Sequence, residues 1–432
     1  MSAFVQAGAG VAKLMPIADD LIYQKRTSCR ACEGNRLHLF LSLGPTPLAN
    51  SFLRSVEDFT GEPSFPLDVY FCETCSLVQV LDVIHPEVLF RNYIYVTGTS
   101  DTMAVHNSGY ARAVTDLLKL GQQDLVVEVA SNDGSLLKRF QQYGVRTLGV
   151  EPARNIAQMA CADGVQTIDR FFNASTAKDI WHSHGPARAV IANNVLAHVD
   201  EPKDFLCGCR ELLADDGMVI VEVPYLGELL DRLEYDTIYH EHLCYFSVTA
   251  LLRLCSEARL SVIQIDRVPV HGGSLRMFAG REEHYGNHAS EVLAWVDRER
   301  NTGLLGLGRY QLFAEAVREN RRSLLELLWK LNRAEKSIAG YGAPAKGNTL
   351  LNYCKIDTRL IPFTVDRNGM KIGLYTPGVH LPVRPVSALL ECQPDYLMIL
   401  AWNFADEIIH QQHEYRARGG QFILPVPEPR IV

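Results

Sequence analysis

At 432 residues and 47% hydrophobic content, the chain has the size and composition of two or three globular domains, which excludes a disordered or collagen-like protein. Acidic residues number 50 against 42 Lys plus Arg, and the net charge of −8 is spread along the chain, so no basic nucleic-acid surface is expected. No apolar run reaches the roughly 18 to 20 residues of a membrane span, and Met1 to Asp20, with Lys13 inside its apolar part, reads as a loose leader, so no membrane partner and a cytoplasmic location are expected.

Cysteine is the first feature in chain order. Of 11 cysteines, Cys29/Cys32 and Cys72/Cys75 form two Cys-x-x-Cys pairs, and the rest lie singly or in apolar surroundings. An odd total argues against a disulfide framework. Two such knuckles supply four thiolates, each able to reach a zinc ion at about 2.3 Å. Redox dithiols or unrelated thiols are the alternatives, and the gap between the pairs is longer than in compact zinc ribbons. Four thiolates would leave no open coordination position, so such a zinc would be structural. The Pro-rich loop Gly44-Pro45-Thr46-Pro47 and the aromatic Tyr93-Ile94-Tyr95 complete this block, to about residue 100.

A helix is expected near Met103 to Lys119, and short apolar runs then alternate with helical patterns. Leu125 to Val129, Thr147 to Val150, Ala189 to Ala192 and Met218 to Val223 read as buried strands. A third block repeats the alternation, with strands expected at Ser337 to Tyr341, Ile361 to Val365, Tyr396 to Leu400 and Gln421 to Leu424. Such alternation predicts an α/β fold with parallel sheets and crossover helices. The stretch from Ser290 to Arg333 has helical spacing throughout and is expected to bridge the two α/β halves. The predicted division is 24–100, 101–280 and 281–432.

Chemistry-bearing residues sit at the predicted strand ends. After the strand at Leu125 comes Ala130-Ser131-Asn132-Asp133-Gly134, a turn of small residues that lets a ligand approach the backbone; Glu151, ending the next strand, can accept ribose hydroxyls. The turn lacks the Gly-x-Gly-x-x-Gly suited to a pyrophosphate, which favours S-adenosylmethionine over NAD. The third strand ends at Asn193, with His198 close behind, and beyond the fourth lies Tyr239-His240-Glu241-His242, before a helix expected from Ser247. This cluster is not a His-Glu-x-x-His metal motif, because no second His follows at helical spacing. A neutral imidazole here can take a proton and the adjacent Glu can orient it; a solvated polar loop is the bland alternative. In the third block, Gly340-Tyr341-Gly342-Ala343-Pro344-Ala345-Lys346 precedes Asp366 by about twenty residues. A helix start of this kind suits a diphosphate, whether from NAD or from a nucleotide sugar.

Taken in order, the Cys knuckles, Ser-Asn-Asp-Gly, Ala-His-Val, Tyr-x-Glu-His and Gly-Ala-x-Ala-Lys-Gly-Asn-Thr-Leu-Leu-Asn resemble the S-adenosylmethionine-dependent C-methyltransferases of nucleotide-linked deoxysugars, from about Ser28 onward. The resemblance implies a small N-terminal zinc-binding domain held by Cys29, Cys32, Cys72 and Cys75, a central Rossmann-like methyltransferase domain, and a C-terminal Rossmann-like domain that helps hold the nucleotide sugar. It implies His242 as general base, with Tyr239, Glu241 and His198 beside it. Ala130, Ser131, Asn132, Asp133, Gly134, Glu151 and Asn193 would hold S-adenosylmethionine. Lys346, Thr349 and Asn352, with Tyr93 and Tyr95, would lie near the sugar nucleotide, dTDP-linked by default. The implied reaction is methylation at C3 of a 4-keto sugar after loss of the neighbouring proton. His240 stands as an alternative base. The competing readings are an NAD-dependent oxidoreductase or epimerase built on Gly340 to Asp366, and a non-catalytic zinc module joined to a degenerate methyltransferase.

Overall fold

The computed structural model describes residues 22–91, 101–270 and 272–432. At the N-terminus, β1 (Tyr23–Lys25) pairs with β5 (Asp82–Ile84), while β2 (Leu37–Ser42), β3 (Asp68–Cys72) and β4 (Val78–Val80) form an antiparallel meander. A fourth strand joins it from far along the chain. β11 (Cys244–Tyr245) pairs antiparallel with β4, giving the order β11-β4-β3-β2.

The central sheet contains β6 (Leu125–Val129), β7 (Arg146–Val150), β8 (Thr167–Ile168), β9 (Ala187–Asn193), β10 (Leu213–Pro224), β12 (Leu260–Val268) and β13 (Ser274–Arg281). Their order is β12-β13-β10-β9-β6-β7-β8. β6 to β10 are parallel, as the Val- and Ile-rich runs with crossover helices require. The expectation of a purely parallel sheet needs correcting, because β13 runs antiparallel between β10 and β12. A two-glycine turn, Gly272 and Gly273 at φ 94° and 122°, makes that hairpin possible. The C-terminal sheet, ordered β16-β15-β14-β17-β18-β19, is built from β14 (Ile338–Tyr341), β15 (Thr364–Asp366), β16 (Val383–Pro385), β17 (Tyr396–Ile399), β18 (Gln421–Leu424) and β19 (Arg430–Ile431). All its pairs are parallel except β18 with β19.

In both larger sheets the first strand is flanked by its successor on one side and by a later strand on the other. The crevices lie at these two reversals, β6 against β9 and β14 against β17. The expected helical region from Ser290 to Arg333 consists of two helices, Ser290–Asn301 and Leu307–Arg333, because Gly303 at φ 75° ends the first and Gly306 caps the second. The second helix joins all three parts. Its Tyr310 ring lies 5.1 Å from Phe40 and 4.8 Å from Phe71 of the N-terminal sheet, and its Asn320 accepts from Tyr235 Oη while donating to Pro425 and Pro427 carbonyls. One apolar cluster accordingly runs without a break from Cys29 through Val219 to Ile423. Among the described residues no helix is long and apolar enough to cross a membrane.

Candidate active site

The first crevice is shaped by backbone. Ala130, Asn132 and Gly134 have φ of 54°, 50° and 73°, so the turn after β6 folds back with main-chain groups presented and little side chain in the way. At Gly134 a Cβ would stand 2.8 Å from Val165 Cγ2, and at Gly149 it would stand 2.4 Å from Ser131 Oγ, so both glycines are required by close approach. Glu151 Oε2 accepts from Asn132 N–H at 2.9 Å and Oε1 from Ala153 N–H at 2.8 Å. Burial raises its pKa against those two bonds. Asn193, at the end of β9, accepts from Tyr110 Oη at 3.3 Å. Buried Glu128 Oε2 and Ser131 Oγ have no hydrogen-bond partner among the described residues. Unsatisfied polar atoms beside a side-chain-poor turn and an anchored acid are what a polar ligand such as S-adenosylmethionine would satisfy. Replacing Glu151 by Gln is expected to weaken S-adenosylmethionine binding roughly tenfold or more, by removing a charged acceptor. Unchanged affinity by titration calorimetry would remove Glu151 from the site.

The second element is the turn from Tyr239 to His242. His242 Nδ1 lies 2.7 Å from the Thr237 carbonyl, which can only accept, so Nδ1 carries the proton and Nε2 the lone pair. That lone pair accepts from Tyr239 Oη at 2.9 Å. The His198 ring centroid is 4.9 Å from that of His242, and Phe90 stacks on His198 at 5.6 Å. Burial alone pushes the His198 pKa down to about 4, so this imidazole is neutral at pH 7. The two middle residues of the turn bond to the N-terminal domain instead, so Glu241 does not orient His242 as the sequence suggested. Glu241 Oε1 accepts from Asn50 Nδ2 at 2.6 Å, and buried His240 donates through Nε2 to the Pro66 carbonyl at 3.0 Å. His240 is thus turned toward the N-terminal domain, whereas His242, Tyr239 and His198 form one ring cluster.

The four knuckle cysteines converge as well. Their Sγ atoms all lie within 4.8 Å of one another, with Cys29 to Cys75 at 3.5 Å and Cys32 to Cys72 at 3.6 Å. A tetrahedral zinc with bonds of about 2.3 Å separates its sulfurs by about 3.8 Å, so the donor set fits. The two turns are copies of each other. Glu33 N–H bonds Cys29 O and Ser76 N–H bonds Cys72 O; Cys29 N–H bonds Gly34 O and Cys72 N–H bonds Leu77 O.

In the third block the predicted substrate residues are engaged inside the protein. Thr349 Oγ1 donates to Ala345 O, and Asn352 Nδ2 donates to the carbonyls of Asn348 and Pro377. Asp366 Oδ2 accepts from Ala343 N–H. Lys346 Nζ stands 4.5 Å from the Trp402 ring centroid, and Trp402 Nε1 donates to Asp236 Oδ2 at 2.6 Å. Tyr93 and Tyr95 lie outside the described residues. Burial, opposed by Lys346, pushes Glu234 from its ordinary 4.5 up to about 7 and Asp236 up to about 6. Between pH 4.5 and 7 folded Glu234 therefore keeps a proton that the unfolded chain has lost, so stability falls as pH rises through that window. Glu234→Gln is expected to flatten this part of the stability–pH curve and to raise stability at pH 8, by on the order of 3 kcal/mol at most. An unchanged slope in thermal melts would show that Glu234 is ionised throughout.

Three polar partners were not visible in the sequence: Asn50 on Glu241, Arg30 on Asp200, and Trp402 on Asp236. The charged residue inside the first knuckle was the one local hint.

A family model described as "C-methyltransferase C-terminal domain" matches residues 269–427, one described as "Putative zinc binding domain" matches 29–90, and one described as "Methyltransferase domain" matches 105–265. The C-methyltransferase NovU of Streptomyces niveus is 38% identical over 404 residues, covering 94% of this chain and 96% of its own. Among solved structures, magnesium protoporphyrin IX methyltransferase of Synechocystis is 14% identical with a TM-score of 0.31, covering 42% of this chain and 82% of its own. The CcbJ methyltransferase of Streptomyces caelestis is 15% identical with a TM-score of 0.32, covering 40% and 89%. The reading as an NAD-dependent oxidoreductase or a non-catalytic zinc module gives way: the chain belongs to the C-methyltransferase family, as an S-adenosylmethionine-dependent enzyme whose knuckle cysteines bind zinc.

Proposed function

We propose that the enzyme methylates C3 of a nucleotide-linked 4-keto-deoxysugar, dTDP-linked by default, with His242 removing the C3 proton. The observation that carries this reading is the fixed tautomer of His242, whose Nε2 lone pair meets Tyr239 Oη, with a neutral His198 packed alongside. A hydrogen on a sugar carbon becomes acidic only beside a ketone that can delocalise the charge, so the site needs a base near C3 and a hydrogen-bond donor near O4. His242 is the base. Neutral His198, or Tyr239 once His242 is protonated, donates to the developing oxyanion. Bound S-adenosylmethionine supplies an electrophilic methyl group on a sulfonium sulfur. Ala130 to Gly134, Glu151 and Asn193 hold that donor so that the sugar carbon meets the methyl in line.

The nucleotide is assigned to a cavity of about 450 Å³ beyond the C-terminal ends of β17 and β18, bordered by Met103, Val270, Trp402, Phe404 and Arg430. Lys346 is the cation held against Trp402, a residue of the cavity wall, while Thr349 and Asn352 brace the helix that carries it. Base and methyl donor on opposite faces of the sugar ring would invert C3. The test is a panel of 4-keto nucleotide sugars incubated with methyl-deuterated S-adenosylmethionine. A labelled methyl at C3 with inverted configuration is expected. Absence of transfer to every keto sugar would remove the substrate class, and retention at C3 would remove the opposite-face geometry.

A further inference from the structure

We propose that Arg30, the residue inside the first zinc knuckle, is a positioning residue that sets the spacing of His198 and His242. Its side chain is entirely buried. Nε donates to Asp200 Oδ1 at 3.0 Å, two residues beyond His198. Nη1 donates to the Val80 carbonyl at 2.5 Å and to Gln79 Oε1 at 3.2 Å. The N–H of the same Val80 bonds the Leu243 carbonyl at 3.0 Å, and Leu243 N–H bonds the Ala197 carbonyl at 2.8 Å. Leu243 follows His242 and Ala197 precedes His198. One guanidinium therefore grips both histidine-bearing turns, the first through a carboxylate and the second through a strand of the zinc domain. Arg26 reinforces the first grip, with Nη1 at 3.2 Å from Asp200 Oδ2. A planar fork meets these separated acceptors at once, which a point-charge ammonium does not.

The proposal rests on the roles given above to His242 and His198. Its test uses the full-length, zinc-loaded protein and the variants Arg30→Met, Arg30→Lys, Asp200→Asn and the Met/Asn double variant. Each is measured for zinc content, S-adenosylmethionine affinity, kcat and KM for the accepted keto sugar nucleotide, and histidine-ring NMR signals. Arg30→Met is expected to keep its zinc, to hold both binding constants within about twofold, and to lose roughly 10- to 100-fold in kcat, the cost of a small misplacement. The His198 and His242 signals should move together, and Arg30→Lys should not restore kcat. Because Arg30 acts through Asp200, the double variant should lose less than the product of the single losses. A kcat within twofold of the parent, unmoved histidine signals, multiplicative losses, or a kcat loss that simply tracks zinc content would each overturn the proposal. If Arg30→Met does not fold, Asp200→Asn decides: zinc-replete protein with reduced kcat and a moved His198 signal supports it, and an unmoved signal defeats it. Normal turnover by a His242→Ala protein would instead strike the catalytic reading, while the NMR result stands apart from it.

Discussion

Replacing His242 by Ala is expected to lower kcat by roughly 10² to 10⁴-fold while leaving S-adenosylmethionine affinity intact. The turn carrying His242 is separate from the turn after β6, so the residues proposed to hold the methyl donor are untouched. The proposed base function rests on two bonds made in opposite senses. Thr237 O fixes the proton on Nδ1, and the lone pair left on Nε2 is met by Tyr239 Oη. Tyr239→Phe removes that donor but keeps the tautomer, so it should cost less than His242→Ala. Equal losses would place the tyrosine oxygen on the proton's path. Near-normal turnover by His242→Ala would end the base assignment and return it to His240, whose Nε2 donates to Pro66 O and whose buried Nδ1 keeps a lone pair with no partner among the described residues.

Removing zinc is expected to have the larger structural effect. Cys72→Ser takes one thiolate from a cluster whose sulfurs lie within 4.8 Å of one another, and three ligands hold the metal poorly. Where metal binding and folding are coupled, lost metal affinity is lost stability. The expected outcome is protein depleted in zinc by elemental analysis, of low solubility, and with kcat reduced further than S-adenosylmethionine affinity. The ordering follows from β11. Its pairing with β4 makes the residues directly after His242 part of the zinc domain's sheet, whereas β6 and β7 have no strand partner in that domain. Full turnover by a zinc-free protein would refute this coupling.

Much of the framework was legible in the residues. Leu125–Val129 and Gln421–Leu424 are where short branched apolar runs predicted them, and Ser247 caps its helix by accepting from Ala250 N–H. Buried parallel strands leave a local signature because both faces are apolar. The antiparallel β12–β13 pair was missed, although Gly272-Gly273 marked its turn. β11 could not be read at all, because two residues carry no periodicity. The site was legible in its ligand types and strand-end positions but not in its supports. Asn50 and Glu241 are 191 residues apart, Arg30 and Asp200 are 170 apart, and Trp402 and Asp236 are 166 apart. Pairs made by tertiary packing leave no spacing to recognise. Helical spacing likewise ran through Ser290 to Arg333 and concealed the break at Gly303.

The late arrival of β11 also orders events during synthesis. Both knuckles leave the ribosome early, yet the edge of β4 stays open until Cys244 and Tyr245 have been made. At a synthesis rate of about 5 to 20 residues per second, that interval is on the order of ten seconds. An apolar strand edge exposed for that long is a template for wrong pairing. A chain begun after the first domain would carry the converse fault, with Cys244 and Tyr245 lacking a neighbour beside the turn that carries His242. The zinc domain's sheet is therefore completed only by residues of the methyltransferase block.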